Sequence, residues 1–233
     1  MQRRFAIADV RGELNLLKKL MDKIAPTIDD SIVFLGSYLG PGSDSKGVLD
    51  YLIAFRKKLP NTIFLMGCYE WAFGHCISEN PSLYHQKIWG DMNGGRVFKS
   101  YADDKKLIYM SGKGTALAEI PLKIPEPHIR FMQETEPNHW YEDGVFPFVL
   151  THNGGHPTLY GRDLSRPEEI VFGENNWWLQ DGRQIPNKTV VFSHVPFRQP
   201  FRRAGKLGID LGAGFSGKLA AFDMMADSVV IVS

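Results

Sequence analysis

Residues 5–24 read FAIADVRGELNLLKKLMDKI. The run opens with four apolar residues, Phe5 to Ala8, a length that suits a buried strand and is too short for a helix. It stops at Asp9-Val10-Arg11-Gly12, after which Leu14, Leu17, Leu20, Met21 and Ile24 recur at helical spacing. The unit then repeats. Ile32 to Leu35 is a second strand, and the polar Ser43-Asp44-Ser45 opens a helix marked by Val48, Tyr51, Leu52 and Phe55. Thr62 to Met66 is a third strand, with a helix expected from Glu70. Alternation of this kind predicts an α/β fold in which crossover helices join the strands of a sheet. Functional loops of such sheets lie beyond the carboxyl ends of the strands. Here those loops are Asp9 to Gly12, Gly36 to Gly42, and Gly67-Cys68-Tyr69-Glu70.

The middle of the chain, Gly94 to Tyr141, is broken by Pro121, Pro125 and Pro127 and resists assignment. Beyond it the sequence reads mostly as strands. Val145 to Leu150 leads into Thr151-His152-Asn153-Gly154-Gly155, and Thr189 to Phe192 leads into Ser193-His194. Leu207 to Asp210, Lys218 to Met224 and Ser228 to Val232 are expected to complete a second sheet. With no internal repeat, low-complexity tract or linker, residues 1–233 are expected to form one domain, two sheets facing each other with helices outside.

Lys plus Arg number 27 and Asp plus Glu 26, so no net field draws the chain to nucleic acid or to an acidic membrane. The longest apolar runs are strand-length, and none suits a bilayer span. Two cysteines, Cys68 and Cys76, are too few for a disulfide framework. The start, MQRRFAIADVRG, lacks the apolar stretch and small-residue cleavage site of a signal peptide, so the expected location is the cytoplasm.

Asp9, Cys68, His152 and His194 all lie at or near strand ends, where a rigid element would hold a ligand in place. Each alone has a plainer reading. A single strand-end histidine is commonly a hydrogen-bonded structural residue, Cys68 alone is a small buried hydrophobe, and Asp9 alone could cap the helix near Gly12. The joint arrangement changes that balance.

Taken together, the motifs resemble the calcineurin-like metallophosphoesterases, in the compact bacterial or phage-type form of their phosphoprotein phosphatase branch. Ala8-Asp9-Val10-Arg11-Gly12 stands where the family has Gly-Asp-x-His-Gly. Gly36-Ser37-Tyr38-Leu39-Gly40-Pro41-Gly42 stands for Gly-Asp-x-x-Asp-Arg-Gly, and Gly67-Cys68-Tyr69-Glu70 for Gly-Asn-His-Glu. Asn93-Gly94-Gly95, Leu150 to Gly154, Phe192-Ser193-His194 and Ile209-Asp210-Leu211-Gly212-Ala213 follow in the family's order. The resemblance implies a four-layer sandwich of two mixed β-sheets flanked by helices.

The same resemblance implies a degenerate site. The first metal of the family would fall to Asp9, Arg11 and Ser37, and a guanidinium offers no lone pair to a metal. The second would fall to Ser37, Cys68, His152 and His194. Cys68 with the two histidines is a reasonable set for one zinc or other divalent metal, with a fourth position for water. The alternative is no metal at all, with two leftover histidines and an inert thiol. The phosphate-gripping arginine of motif two is Pro41, and a second aligns with Gln180, leaving Arg11 and Gln180 as candidate substrate-binding residues. The family's acid in motif three is Tyr69, whose ordinary pKa of about 10 suits that task poorly.

Asp9, Arg11, Ser37 and Tyr69 are therefore degenerate positions, and no catalytic residue is assigned. The expected function is that of a pseudoenzyme that binds a ligand or protein partner in the old active-site cleft. The alternative is a hydrolase with one metal on Cys68, His152 and His194. A basic segment, Arg198 to Arg203, and the tryptophans Trp71, Trp177 and Trp178 are weaker candidates for anion and ligand contacts.

Overall fold

The structure is a computed structural model that describes residues 2–102, 124–140, 147–154, 171–172 and 187–233. The alternation expected at the start of the chain is present: β1 (Arg4–Ile7), α1 (Leu14–Ile24), β2 (Ser31–Phe34), α2 (Ser45–Lys58), β3 (Ile63–Phe64) and α3 (Cys68–Cys76). On α1, Leu16, Leu17, Leu20, Met21 and Ile24 form the buried face. The helix ends where Ala25 turns left-handed at φ 42 and returns its N–H to the Met21 carbonyl. On α2 the side chain of Asp44 accepts the N–H of Gly47, satisfying one of the donors left free at the helix start. Asp9 caps no helix, since Glu13 precedes α1. The third helix starts at Cys68 rather than Glu70, so the cysteine sits on the first turn of a helix and not in a loop.

The unassigned middle supplies α4 (Leu83–Asp91), α5 (Gly95–Tyr101) and α6 (Glu126–Gln133). After it come β4 (Asn138–Trp140), β5 (Phe148–Thr151), β6 (Thr189–Phe192), β7 (Phe201–Arg203), β8 (Lys206–Gly208), α7 (Ala213–Ser216), β9 (Leu219–Asp223) and β10 (Ser228–Val232).

Two mixed five-stranded sheets, flanked by helices, carry these strands in the orders β10-β9-β1-β2-β3 and β4-β5-β6-β8-β7. This corrects one expectation: Lys218 to Met224 and Ser228 to Val232 belong to the first sheet. The chain returns after α7 and lays β9 antiparallel on β1, with Ile7 opposite Ala221, and β10 then pairs with β9. Strands β9 and β10 are both apolar, and apolar alternation marks a strand without naming its neighbour.

Each sheet contains a parallel triplet, β1-β2-β3 in one and β5-β6-β8 in the other. Phe148 of β5 meets Phe222 of β9 edge-on at 5.5 Å, one of the contacts that join the sheets. The carboxyl ends of both triplets converge, and the segments that follow them meet there.

Candidate metal centre and its surroundings

Six strands deliver the residues at this junction. Asp9 and Arg11 follow β1, Ser37 follows β2, Cys68 follows β3, His152 follows β5, Ser193 and His194 follow β6, and Asp210 follows β8. The loops after β1 and β2 zip together through backbone bonds: Arg11 N to Ser37 O (2.7 Å), Gly12 N to Tyr38 O (2.9 Å) and Gly42 N to Arg11 O (2.8 Å). Gly42 must be glycine, because a Cβ there would lie 2.5 Å from the Arg11 carbonyl oxygen. Gly36 has φ +105, and a Cβ on it would stand 2.7 Å from the backbone of Gly67.

Glu70 fixes the remaining loop. Its two carboxylate oxygens accept three backbone N–H groups, from Ser37 (2.8 Å), Gly67 (3.1 Å) and Leu39 (3.0 Å). Burial pushes this carboxyl up to about 7 against the pull of the Leu39 N–H. All three neighbours are donors, however, so the geometry fits the ionised form.

Arg11, Ser37 and His194 have φ values of 51, 49 and 67. Left-handed backbone costs an ordinary L-residue about 1–2 kcal/mol, and eight non-glycine residues adopt it among the described residues. Three of them lie here, so strain is concentrated where the chemistry would be.

Cys68, His152 and His194 come together, their ligand atoms all within 4.8 Å of one another. His152 Nδ1 donates to the Leu35 carbonyl at 2.8 Å, which turns Nε2 toward the group, where it accepts the Cys68 backbone N–H at 3.1 Å. A metal-binding histidine is commonly oriented by such a second-nitrogen bond. From Nε2 it is 3.2 Å to His194 Nδ1 and 3.4 Å to Ser37 Oγ. Two imidazole nitrogens on one tetrahedral zinc, with bonds of about 2.0–2.1 Å, stand about 3.3 Å apart, so the histidine pair fits that ion.

The electrostatics agree. Burial alone would push the Cys68 thiol up, but the nearby charges and hydrogen bonds of His194 and His152 bring it down to about 5. Burial works against charge on His152, and Asp9 and Cys68 outweigh it, raising this imidazole well above its ordinary value. The group therefore favours a positive charge at its centre, supplied by a proton or by a metal.

Arg11 occupies the other half of the junction. Its Nη2 lies 2.6 Å from Asp210 Oδ2, 3.0 Å from Asp9 Oδ2 and 2.8 Å from the His194 carbonyl. Asp9 and Asp210 are fully buried. Burial raises the Asp9 carboxyl, and His152 and Arg11 outweigh that and hold it well below the usual range. Asp210 is pushed up to about 6 by burial and by the charge of Asp9. Arg11 itself is buried, and the two carboxylates keep it firmly protonated.

No protein-family model matches the chain, and neither does any curated protein. Solved structures do. A candidate diadenosine tetraphosphatase aligns over 99% of this chain and 93% of its own, with TM-score 0.64 and 16% identity. A metallophosphoesterase from Sphaerobacter thermophilus aligns over 99% and 87%, with TM-score 0.54 and 14% identity. The cold-active protein-tyrosine phosphatase of a psychrophile Shewanella sp. aligns over 100% and 81%, with TM-score 0.57 and 12% identity. The chain has the metallophosphoesterase fold.

On this metallophosphoesterase scaffold Asp9, Arg11, Ser37, Cys68, His152 and His194 lie at one junction. Tyr69 does not present an acid: its hydroxyl donates to the Met92 carbonyl at 2.7 Å, and burial pushes it up to about 12. Trp71 is buried among His75, His85 and Phe172. Gln180, Trp177 and Trp178 lie outside the described residues. Of the basic segment, Arg202 pairs with Asp227 at 2.7 Å, away from the junction. Sequence reasoning missed Asp210 as the partner of Arg11. Its position was visible, for Asp210 follows an apolar strand just as Asp9 does, but nothing local ties it to Arg11.

Proposed function

We propose that this chain is a pseudophosphatase in the two-metal sense, a metallophosphoesterase-fold protein that binds a ligand or partner at the old site without dinuclear phosphoester hydrolysis. One observation carries this reading. The guanidinium of Arg11 lies between Asp9 and Asp210, so a fixed side-chain cation occupies the carboxylates beside the Cys68–His152–His194 group. Dinuclear hydrolysis needs two ions clamping the attacking and leaving oxygens. With Arg11 in place and Ser37 offering a neutral hydroxyl, the donors for a second ion are missing among the described residues. The test is elemental analysis of protein purified without chelators, joined to an assay with p-nitrophenyl phosphate and added Mn2+. The expected result is no more than one metal per chain and no rate above the blank. Two metals per chain with turnover would sink the reading.

A second reading rests on the orientation of His152 and on its 3.2 Å approach to His194. Cys68, His152 and His194 would hold one zinc, and the protein would be a divergent hydrolase. Zinc in that set supplies Lewis-acid polarisation of a ligand oxygen. The chain's own part is to orient His152 through Leu35, to keep Cys68 ionised through the two histidines, and to balance Asp9 and Asp210 through Arg11. Cys68→Ala is expected to abolish both zinc binding and any hydrolysis. Zinc retained at one per chain in that variant would rule the reading out.

A further inference from the structure

We propose that the rim formed by Arg96, Pro41, Gly214 and Phe215 is a binding subsite for an aromatic oxyanion, a ring that carries a phosphate or carboxylate group. The inference deepens the reading of the site as a binding site and rests on it.

Phe215 lies on the short α7 turn, fixed between Gly212 and Gly217, both left-handed at φ +75 and +69. Its ring sits over the Arg11 guanidinium, Cζ to centroid 5.5 Å, yet 67% of the residue faces solvent. One exposed aromatic is unremarkable in itself. This one is stacked on the central cation of the junction, and its free surface can take a second flat ring.

Arg96 of α5 supplies the charge. Its Nη1 donates to the Pro41 carbonyl at 3.0 Å, which orients the guanidinium. Its other N–H groups have no hydrogen-bond or ion-pair partner among the described residues. A planar guanidinium held at one corner and open along its remaining edge suits bidentate capture of an oxyanion. Arg11 is differently placed, since Asp9 and Asp210 already balance its charge.

Pro41 joins the two halves. A Cβ on Gly214, the neighbour of Phe215, would come within 2.9 Å of Pro41 Cγ and 3.3 Å of Arg11 Cβ. Arg96 grips the carbonyl of that same Pro41. Phe215 and Arg96 therefore border the same proline at the edge of the junction, and a ligand that spans it would meet both.

The test measures binding of phenyl phosphate, phenylacetate and ethyl phosphate by calorimetry to the wild-type chain, Phe215→Ala and Arg96→Gln. Both substitutions are at exposed side chains, and their melting temperatures serve as the check on folding, with Phe215→Leu as the substitute should the alanine variant unfold. The wild type is expected to bind phenyl phosphate about tenfold more tightly than ethyl phosphate, a ratio worth about 1.4 kcal/mol. Phe215→Ala should bring that ratio close to one. Arg96→Gln should weaken both phosphates about tenfold and leave the ratio intact. The phenylacetate arm tells whether carboxylate serves as well as phosphate, and binding of either aromatic anion in this pattern supports the subsite. No preference for the ring, a preference unchanged in Phe215→Ala, affinities unchanged in Arg96→Gln, or no binding of any probe would overturn it. Failure of the pseudophosphatase reading looks different: phenyl phosphate would be hydrolysed by a two-metal protein while the Phe215-dependent preference persisted.

Discussion

Replacing Glu70 with Gln keeps the shape of the side chain and removes one acceptor. In the wild type Oε2 accepts from Ser37 and Gly67 and Oε1 from Leu39. The amide can point its oxygen at Ser37 and Gly67, which turns its NH2 group against the Leu39 N–H. One buried donor is then unsatisfied, at about 1–3 kcal/mol, and the two surviving bonds lose the strengthening that a charged acceptor gives. Relief of the carboxylate's burial offsets part of this, leaving an expected net loss of about 2–3 kcal/mol. The opposite amide orientation leaves two donors unsatisfied and is worse. For a chain of this size the loss corresponds to a melting temperature roughly 4–12 °C lower. Thermal unfolding followed by circular dichroism at about pH 8, where the wild-type carboxyl is mostly ionised, measures it directly. A melting temperature equal to that of the wild type would refute the claim that Glu70 clamps the three loops.

Arg11→Met should leave Asp9 and Asp210 buried without their counter-charge and cost about 3–5 kcal/mol in urea unfolding, with Asp210→Asn added to it recovering part of the loss; a neutral Arg11→Met would show that the guanidinium is dispensable. Asp30 gives a pH dependence remote from the site. Burial raises its carboxyl, but the bonds from Arg3 and Thr27 prevail and hold it below its ordinary 3.8. A lowered folded pKa means stability that is present above the unfolded value and lost as pH falls through the folded one. The gap in urea midpoint between wild type and Asp30→Asn should therefore be open near neutrality and close in acid, and a gap independent of pH would contradict it.

The strands and helices of the first seventy residues were legible because the signal is local. Leu17, Leu20, Met21 and Ile24 share a helix face whatever the rest of the chain does. Strand partnership is not local, so Leu219–Asp223 could be read as a strand but not as the neighbour of β1. The site shows the same division. Asp9, Ser37, Cys68, His152 and His194 were visible because they lie at or close to the ends of apolar runs, and all but His194 lie close to recognisable glycines. The pairing of Arg11 with Asp210 spans 199 positions, and no local pattern announces it. Arg96 was hidden for another reason: its meaning depends on the backbone oxygen of Pro41, and a carbonyl has no signature in a sequence.

The left-handed backbone at Arg11, Ser37 and His194 has a consequence for how the site can change. Glycines at 36 and 42 and the carboxylate of Glu70 shape these loops, so the backbone contour at 11 and 37 is set by other residues. Asn, Asp and His tolerate that contour better than Arg or Ser do. Exchanging either residue for one of those three relaxes the backbone instead of straining it further. The junction is a socket whose contour outlasts its fittings, and a change of chemistry there asks for new side chains, matched in charge to Asp9 and Asp210, without a new fold.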